Sequence, residues 1–237
     1  MAIDVQVNVA GQSARHLYVY NGGLIFNRRV RRILSLSGYD VKLGKPNDGD
    51  MIGVWGKSPT SLRGEAVAAR TNIPILRIED AFLRSVLTGR EGDDSIGLHL
   101  DTRGVHFDPA QASDLEIILR KDRLDDPALL QRAREGIETL RRNHLSKYNA
   151  YDPAASCLNA DYVVIIDQTK GDASVTASGA DSSTFKEMLL YAQTEHPLSR
   201  IVIKTHPETH AGHRVGYYGN ADTSNRISLL ETPISPY

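Results

Sequence analysis

The chain has one cysteine, Cys157, in 237 residues. A lone thiol closes no internal disulfide, and without a CxxC pair there is no zinc-ribbon or dithiol redox motif, so a reducing compartment is expected. Excess charge of either sign is also missing, with 28 basic against 29 acidic residues and a net charge of -1. That balance excludes a general basic field for a nucleic-acid backbone and an acidic tail. No apolar run approaches the ~20 residues of a membrane span, and Asp4, Gln6 and Asn8 interrupt the N-terminal valines, so no signal-peptide core is present. These absences predict a soluble, cytoplasmic protein with no nucleic-acid partner. One local exception is the crowding of Arg28, Arg29, Arg31 and Arg32. It reads either as the solvated face of a helix or as a contact for an anionic lipid surface or acceptor.

Apolar residues make up 41% of the chain and charged residues 24%, the balance of a globular protein with a buried core. Short β-branched runs alternate with helical patterns, as in βαβ units around a mainly parallel sheet. Strands are expected at 16–20, 41–43, 51–55 and 74–78. Helices are expected from Leu24 to Gly38 and after Pro59-Thr60-Ser61. Asp101-Thr102-Arg103-Gly104 suits a hairpin turn between strands at 96–100 and 105–107. Ser113-Asp114-Leu115-Glu116 is a capping box, and Pro127 opens a longer helix reaching about His144. Tyr148 to Pro153 reads as a linker. Beyond it come a strand at 162–166, a helix at 183–193 and a buried strand at 200–204. The predicted fold is α/β with two Rossmann-like lobes. Residues 1–150 form the first lobe; residues 151–237 form a partial second lobe, truncated at Tyr237 or completed by another chain.

Three strand ends carry polar, titratable residues, where open α/β sheets bind ligands. At Arg77-Ile78-Glu79-Asp80, adjacent carboxylates reaching one cleft would have their pKa values pushed apart, suiting acid and nucleophile roles. The pair equally suits the cap of a turn. Arg77 and Arg84 could grip a carboxylate or phosphate bidentately. At Asp167-Gln168-Thr169-Lys170-Gly171-Asp172-Ala173-Ser174 a strand runs into small and hydroxyl residues whose N–H groups suit a phosphate, although the pattern is neither a Walker loop nor GxGxxG. At Lys204-Thr205-His206-Pro207-Glu208 a histidine follows a buried strand and can donate to a phosphate or sugar oxygen. His206, His210 and His213 would share a helical face and hint at a metal, but Pro207 and Gly212 break the register and zincin spacing is lacking.

Taken together, Arg77 through Ser85, Asp101 to Gly104, Gln168 through Ser174 and Lys204 to Glu208 resemble the capsule polysaccharide β-Kdo transferases, the KpsC-type proteins of Gram-negative bacteria. Ser146-Lys147-Tyr148-Asn149 matches a weaker family stretch. The resemblance implies a GT-B arrangement with the active site in the interlobe cleft, CMP-β-Kdo as donor and retention at the anomeric carbon. It implies Asp80 as nucleophile, Glu79 as assisting carboxylate and His206 as phosphate contact; a protonated His206 near Lys204 would offset the charge that develops on departing CMP. Arg77, Arg84, Gln168, Asp172, Ser174, Lys204 and Pro207 then become substrate-binding residues. It implies no metal or other cofactor, a lipid-linked saccharide acceptor, and contact with the inner membrane face or other capsule assembly proteins. Ala81 stands where the family carries Gly, and Gly171 where it carries an acidic residue. The competing readings are a non-catalytic module binding glycolipid or a partner transferase, and a nucleotide-sugar isomerase on the same scaffold.

Overall fold

A computed structural model describes residues 14–152, 154, 161–230 and 234–235. Cys157, Pro153 and Tyr237 lie outside the described residues. The first strands are short, apolar and followed by amphipathic helices. They run β1 (Arg15–Val19), α1 (Gly22–Phe26), α2 (Arg28–Leu36), β2 (Tyr39–Lys42), β3 (Met51–Trp55), α3 (Leu62–Thr71), β4 (Ile75–Asp80) and β5 (Leu98–Asp101). The sheet order is β2-β1-β3-β4-β5, parallel except for β5, which runs antiparallel to β4. The chain therefore reverses direction across the sheet between β1 and β3, the topological switch of a doubly wound fold. Leu17, Val19, Leu76 and Ile78 are fully buried on one side with Leu24, Val30 and Leu34 of α1 and α2. On the other side Ile52 and Val54 pack with Ala68 of α3 and Ile73.

The predicted hairpin at 101–104 does not form. Asp101 is buried, and its Oδ1 accepts from the backbone N–H groups of Arg103 and Gly104, both at 2.8 Å. This Asx turn ends β5, and Val105 drops into the interior instead of opening a strand. β5 finds its partner in β4.

The later elements are α4 (Asp114–Lys121), α5 (Pro127–Arg142), β6 (Tyr162–Ile166), α6 (Ala173–Ala177), α7 (Ser182–Glu195), β7 (Arg200–Lys204), α8 (Pro207–His210) and β8 (Ile227–Leu229). The Ser113 hydroxyl caps α4 by accepting from Glu116 N–H, and Asp126 caps α5 with Pro127 in its first turn. Strands β6, β7 and β8 form a parallel sheet in that order. Ile165, Ile201, Ile203 and Ile227 pack with Phe185 of α7, Val175 and Tyr218.

The sequence placed a boundary near residue 150, but the compact units divide elsewhere. Unit 1 comprises residues up to Asp80 together with Gly97–Val105; unit 2 comprises Ala81–Ile96 and everything from His106 onward. The expected linker is correspondingly tied down within unit 2. Ser85 and Tyr148 form a parallel bridge, Asn149 Nδ2 donates to Ser85 O, and Asn149 N–H donates to Val86 O.

Candidate functional site

In unit 1 the polar residues gather at the carboxyl end of β4. The strand stays extended through Asp80, so Glu79 and Asp80 point to opposite faces. This corrects the expectation of two carboxylates sharing one cleft. Asp80 follows Leu76 and Ile78 on the face of the apolar core. Glu79 shares its face with Arg77 and, across the ladder, with His99 and Asp101, since Glu79 pairs with His99 and Arg77 with Asp101. His99 Nε2 lies 3.7 Å from Asp101 Oδ2.

Arg77 is engaged internally. Its Nη1 donates to Gly56 O at 2.6 Å and to Glu65 Oε1 at 2.8 Å, with little solvent exposure. A ligand carboxylate could reach Nη1 only by displacing Glu65. Gly56 has φ +44° and leaves room for Glu79, because a Cβ at that position would overlap Glu79 Oε1. The β3–α3 turn and the acidic motif are thereby fitted to each other.

In unit 2, Arg84 is buried, and its Nη1 donates to Ser85 Oγ at 2.6 Å and to Asp93 O at 2.9 Å. Its guanidinium closes the loop between Ser85 and Asp93. Gln168 accepts from Thr169 N–H through its own Oε1. Asp172 caps α6, accepting from Ser174 N–H and, at 2.5 Å, from Ser174 Oγ. Both residues thus shape the loop after β6.

His206 sits at the end of β7 and caps α8, its Nδ1 accepting from Glu208 N–H at 3.1 Å, with Pro207 in the first turn. An accepting Nδ1 leaves the proton on Nε2. Burial pushes the His206 pKa below its usual value; Glu208 acts against that shift and Lys147 with it. Burial thus works against the protonated His206 expected beside Lys204, and the Nδ1 contact leaves Nε2 as the ring's donor. Lys204 is half-buried and its pKa is lowered by burial. Tyr148 meets His206 edge to face at 6.4 Å, and Lys147 Nζ lies 5.6 Å from the Tyr148 ring centre. Lys147, Tyr148, Lys204, Thr205 and Pro207 line a cavity of about 540 Å³, walled on its apolar side by Phe82, Val86 and Leu87. Its lining is drawn wholly from unit 2. His210 lines this cavity too.

Sequence reasoning passed over Asp167 as a functional group. Its side chain is 2% exposed, and Oδ1 accepts from Gln168 N–H at 2.8 Å and Tyr217 N–H at 3.0 Å. Gly216 lies so close to Oδ2 that any side chain there would collide with it. The bridge between Thr169 and Gly216, Lys170 N–H donating to Val215 O, and Arg214 Nη2 donating to Lys170 O join the same two loops. Burial raises the Asp167 pKa against the pull of those N–H donors. Only its position directly after an apolar strand hinted at this role.

Both sheets carry their polar residues beyond the carboxyl ends of parallel strands, the place where open α/β proteins bind ligands. The profile of the capsule polysaccharide biosynthesis proteins matches residues 137–231. The capsule polysaccharide modification protein LipA of Neisseria meningitidis is 33% identical over 232 residues, covering 94% of this chain and 33% of LipA. The lipopolysaccharide-processing protein LpsZ of Rhizobium meliloti is 31% identical over 182 residues, covering 74% of this chain and 41% of LpsZ. The chain thus spans well under half the length of these relatives. Among solved structures, the β-Kdo 2,4 transferase of Thermosulfurimonas dismutans KpsC superposes with a TM-score of 0.83 at 27% identity, over 95% of this chain and 71% of that one. The β-Kdo 2,7 transferase of the same KpsC shares the fold, with a TM-score of 0.62 at 22% identity, over 92% of this chain and 67% of that one. The chain matches the capsule polysaccharide biosynthesis family over residues 137–231, and in sequence and fold it fits the KpsC type. Among the described residues, no helix is long and apolar enough to cross a membrane.

Proposed function

We propose that this chain is a retaining β-Kdo glycosyltransferase, or a module of one, moving Kdo from CMP-Kdo to a lipid-linked saccharide acceptor in capsule polysaccharide biosynthesis. The likeness to the KpsC β-Kdo 2,4 transferase, which runs through 95% of the chain, carries this reading. In unit 1, Asp80 is the nucleophile. Its carboxylate oxygen bonds to the anomeric carbon as the bond from that carbon to the CMP oxygen breaks, and CMP leaves with the bonding pair. The acceptor hydroxyl then displaces Asp80 and surrenders its proton to a base, so two inversions give net retention. Glu79 assists from the other face of β4, where it fixes the Gly56 turn and stands across from His99.

In unit 2, neutral His206 donates Nε2–H to the departing phosphate. The charges of Lys147, Lys204 and Arg214 offset the negative charge that develops there. Gln168, Asp172 and Ser174 hold the adjoining loop in shape, and Pro207 fixes the His206 backbone. The half-buried setting of Lys204 and His206 supports this assignment, since desolvated cations and donors act strongly on an anion.

The test is CMP release from CMP-Kdo by the chain as it stands and by Asp80→Ala. Loss of turnover by roughly a thousandfold or more is expected for a nucleophile. Turnover like that of the unaltered chain in Asp80→Ala would overturn the assignment. A folded chain with no calorimetric affinity for CMP would favour a binding module acting on glycolipid or a partner transferase.

A further inference from the structure

Helix α2 runs against the local rules of helix stability. Arg28, Arg29, Arg31 and Arg32 fill its first two turns, and its first turn holds no acidic residue. Cations at this end oppose the helix dipole. Arg31 and Arg32 stand three and four residues from Arg28, the spacings at which like charges repel. Val30 and Leu34 bury the opposite side of the helix, which holds the four arginines outward. Arg28, Arg31 and Arg32 pair with no carboxylate among the described residues. A chain with net charge -1 does not acquire this cluster from its bulk composition. Sites that break local rules without internal compensation are where a ligand is expected to compensate.

The same three arginines, with Ser35, line one side of a surface concavity of about 300 Å³, closed by Tyr39, Asp40 and Val41. Asp40 is its sole acidic lining residue, and its carboxylate already lies 2.7 Å from Lys42 Nζ. Two large apolar side chains flank the cluster in sequence, Phe26 at 80% and Leu36 at 65% exposure. A soluble phosphate would leave those side chains in water, whereas the headgroup layer of a bilayer takes up both.

We propose that this face of α2 is a docking surface for a bilayer of anionic phospholipid. Arg28, Arg31 and Arg32 hold headgroup phosphates through bidentate N–H donation, while Phe26 and Leu36 enter the acyl boundary. The surface lies within unit 1 and does not depend on the Kdo assignment.

The test is sedimentation of the full chain with phosphatidylcholine vesicles, with and without about one-third phosphatidylglycerol, at low and physiological salt. The expected result is sedimentation with the anionic vesicles only, weakening as salt rises. Each arginine removed should lower partition about fivefold, so Arg31→Gln with Arg32→Gln loses well over tenfold. The paired lysine substitutions should lose less than the glutamine pair, since the charge stays while the bidentate donation goes, and far-UV circular dichroism should be unchanged in both. No sedimentation of the unaltered chain on anionic vesicles at low salt overturns the proposal. So does undiminished binding by the folded glutamine variant. Release by millimolar inorganic phosphate at constant ionic strength assigns the concavity to a soluble anion and also overturns it.

Discussion

Glu79 and Asp80 are adjacent in sequence but separated by the plane of the sheet, so the chemistry of the motif rests on what each face supplies. On the Glu79 face that is the room left by Gly56. Gly56→Ala meets both a left-handed backbone and the Glu79 carboxylate, so it should cost roughly 1–2 kcal/mol in urea unfolding. CMP release should fall further than that loss of stability explains. Two titrating groups in unit 2, half-buried His206 and buried Asp167, give opposite pH signatures. The folded pKa of His206 lies below its unfolded value near 6.5. Its neutral form is therefore fully accommodated above that value, and stability falls as pH drops through it toward the folded pKa. The folded pKa of Asp167 is raised, so its contribution is present below the unfolded value and lost as pH rises through the folded one. Urea midpoints across pH should show Asp167→Asn gaining on the unaltered chain as pH rises, and His206→Gln gaining on it as pH falls. The reverse slopes would contradict the burial assigned to these side chains.

Among the elements, those defined by local chemistry were legible in the sequence. The Ser113 N-cap, Pro127 at the start of α5, and the apolar runs of β3, β6 and β7 all appear where the pattern put them. Replacing the cap in Asp126→Ala should cost about 1 kcal/mol and speed hydrogen exchange at Leu129, whose N–H it accepts. What was not legible depended on distant partners. β5 is a strand because β4 lies beside it, and the turn after it is set by a buried Asp101. The opposed directions of Glu79 and Asp80 follow from period-two alternation, but only once the strand is known to extend through both. For the candidate site, the histidine and acidic motifs were visible. The engagement of Arg77 by Glu65, and of Arg84 by Ser85 and Asp93, was not, because each bond forms only on folding. β6 poses a separate risk. Among the described residues it is an edge strand, and it exposes Val164 and Ile166, so Val164→Lys should reduce concentration-dependent association in light scattering without changing the fold.

At the scale of the molecule, the chain leaves unit 1 after Asp80, returns at Gly97 and leaves again after Val105. One proteolytic cut at any of these crossings leaves the two units joined by the remaining chain, and a single genetic split cannot separate them intact. A fragment starting at His106 would lack Ser85, Val86 and the bonds they make with Tyr148 and Asn149. The order of synthesis is constrained as well. The first sheet cannot gain β5 until residue 101 has left the ribosome, while Ser85 and Val86, made earlier, must wait for residues 147–149 before the bonds that tie the segment to Tyr148 and Asn149 can form. Unit 1 is thus completed while Ser85 and Val86 still lack their partners at Tyr148 and Asn149, and that stretch of the loop is open to proteases and chaperones while α4 and α5 are being made.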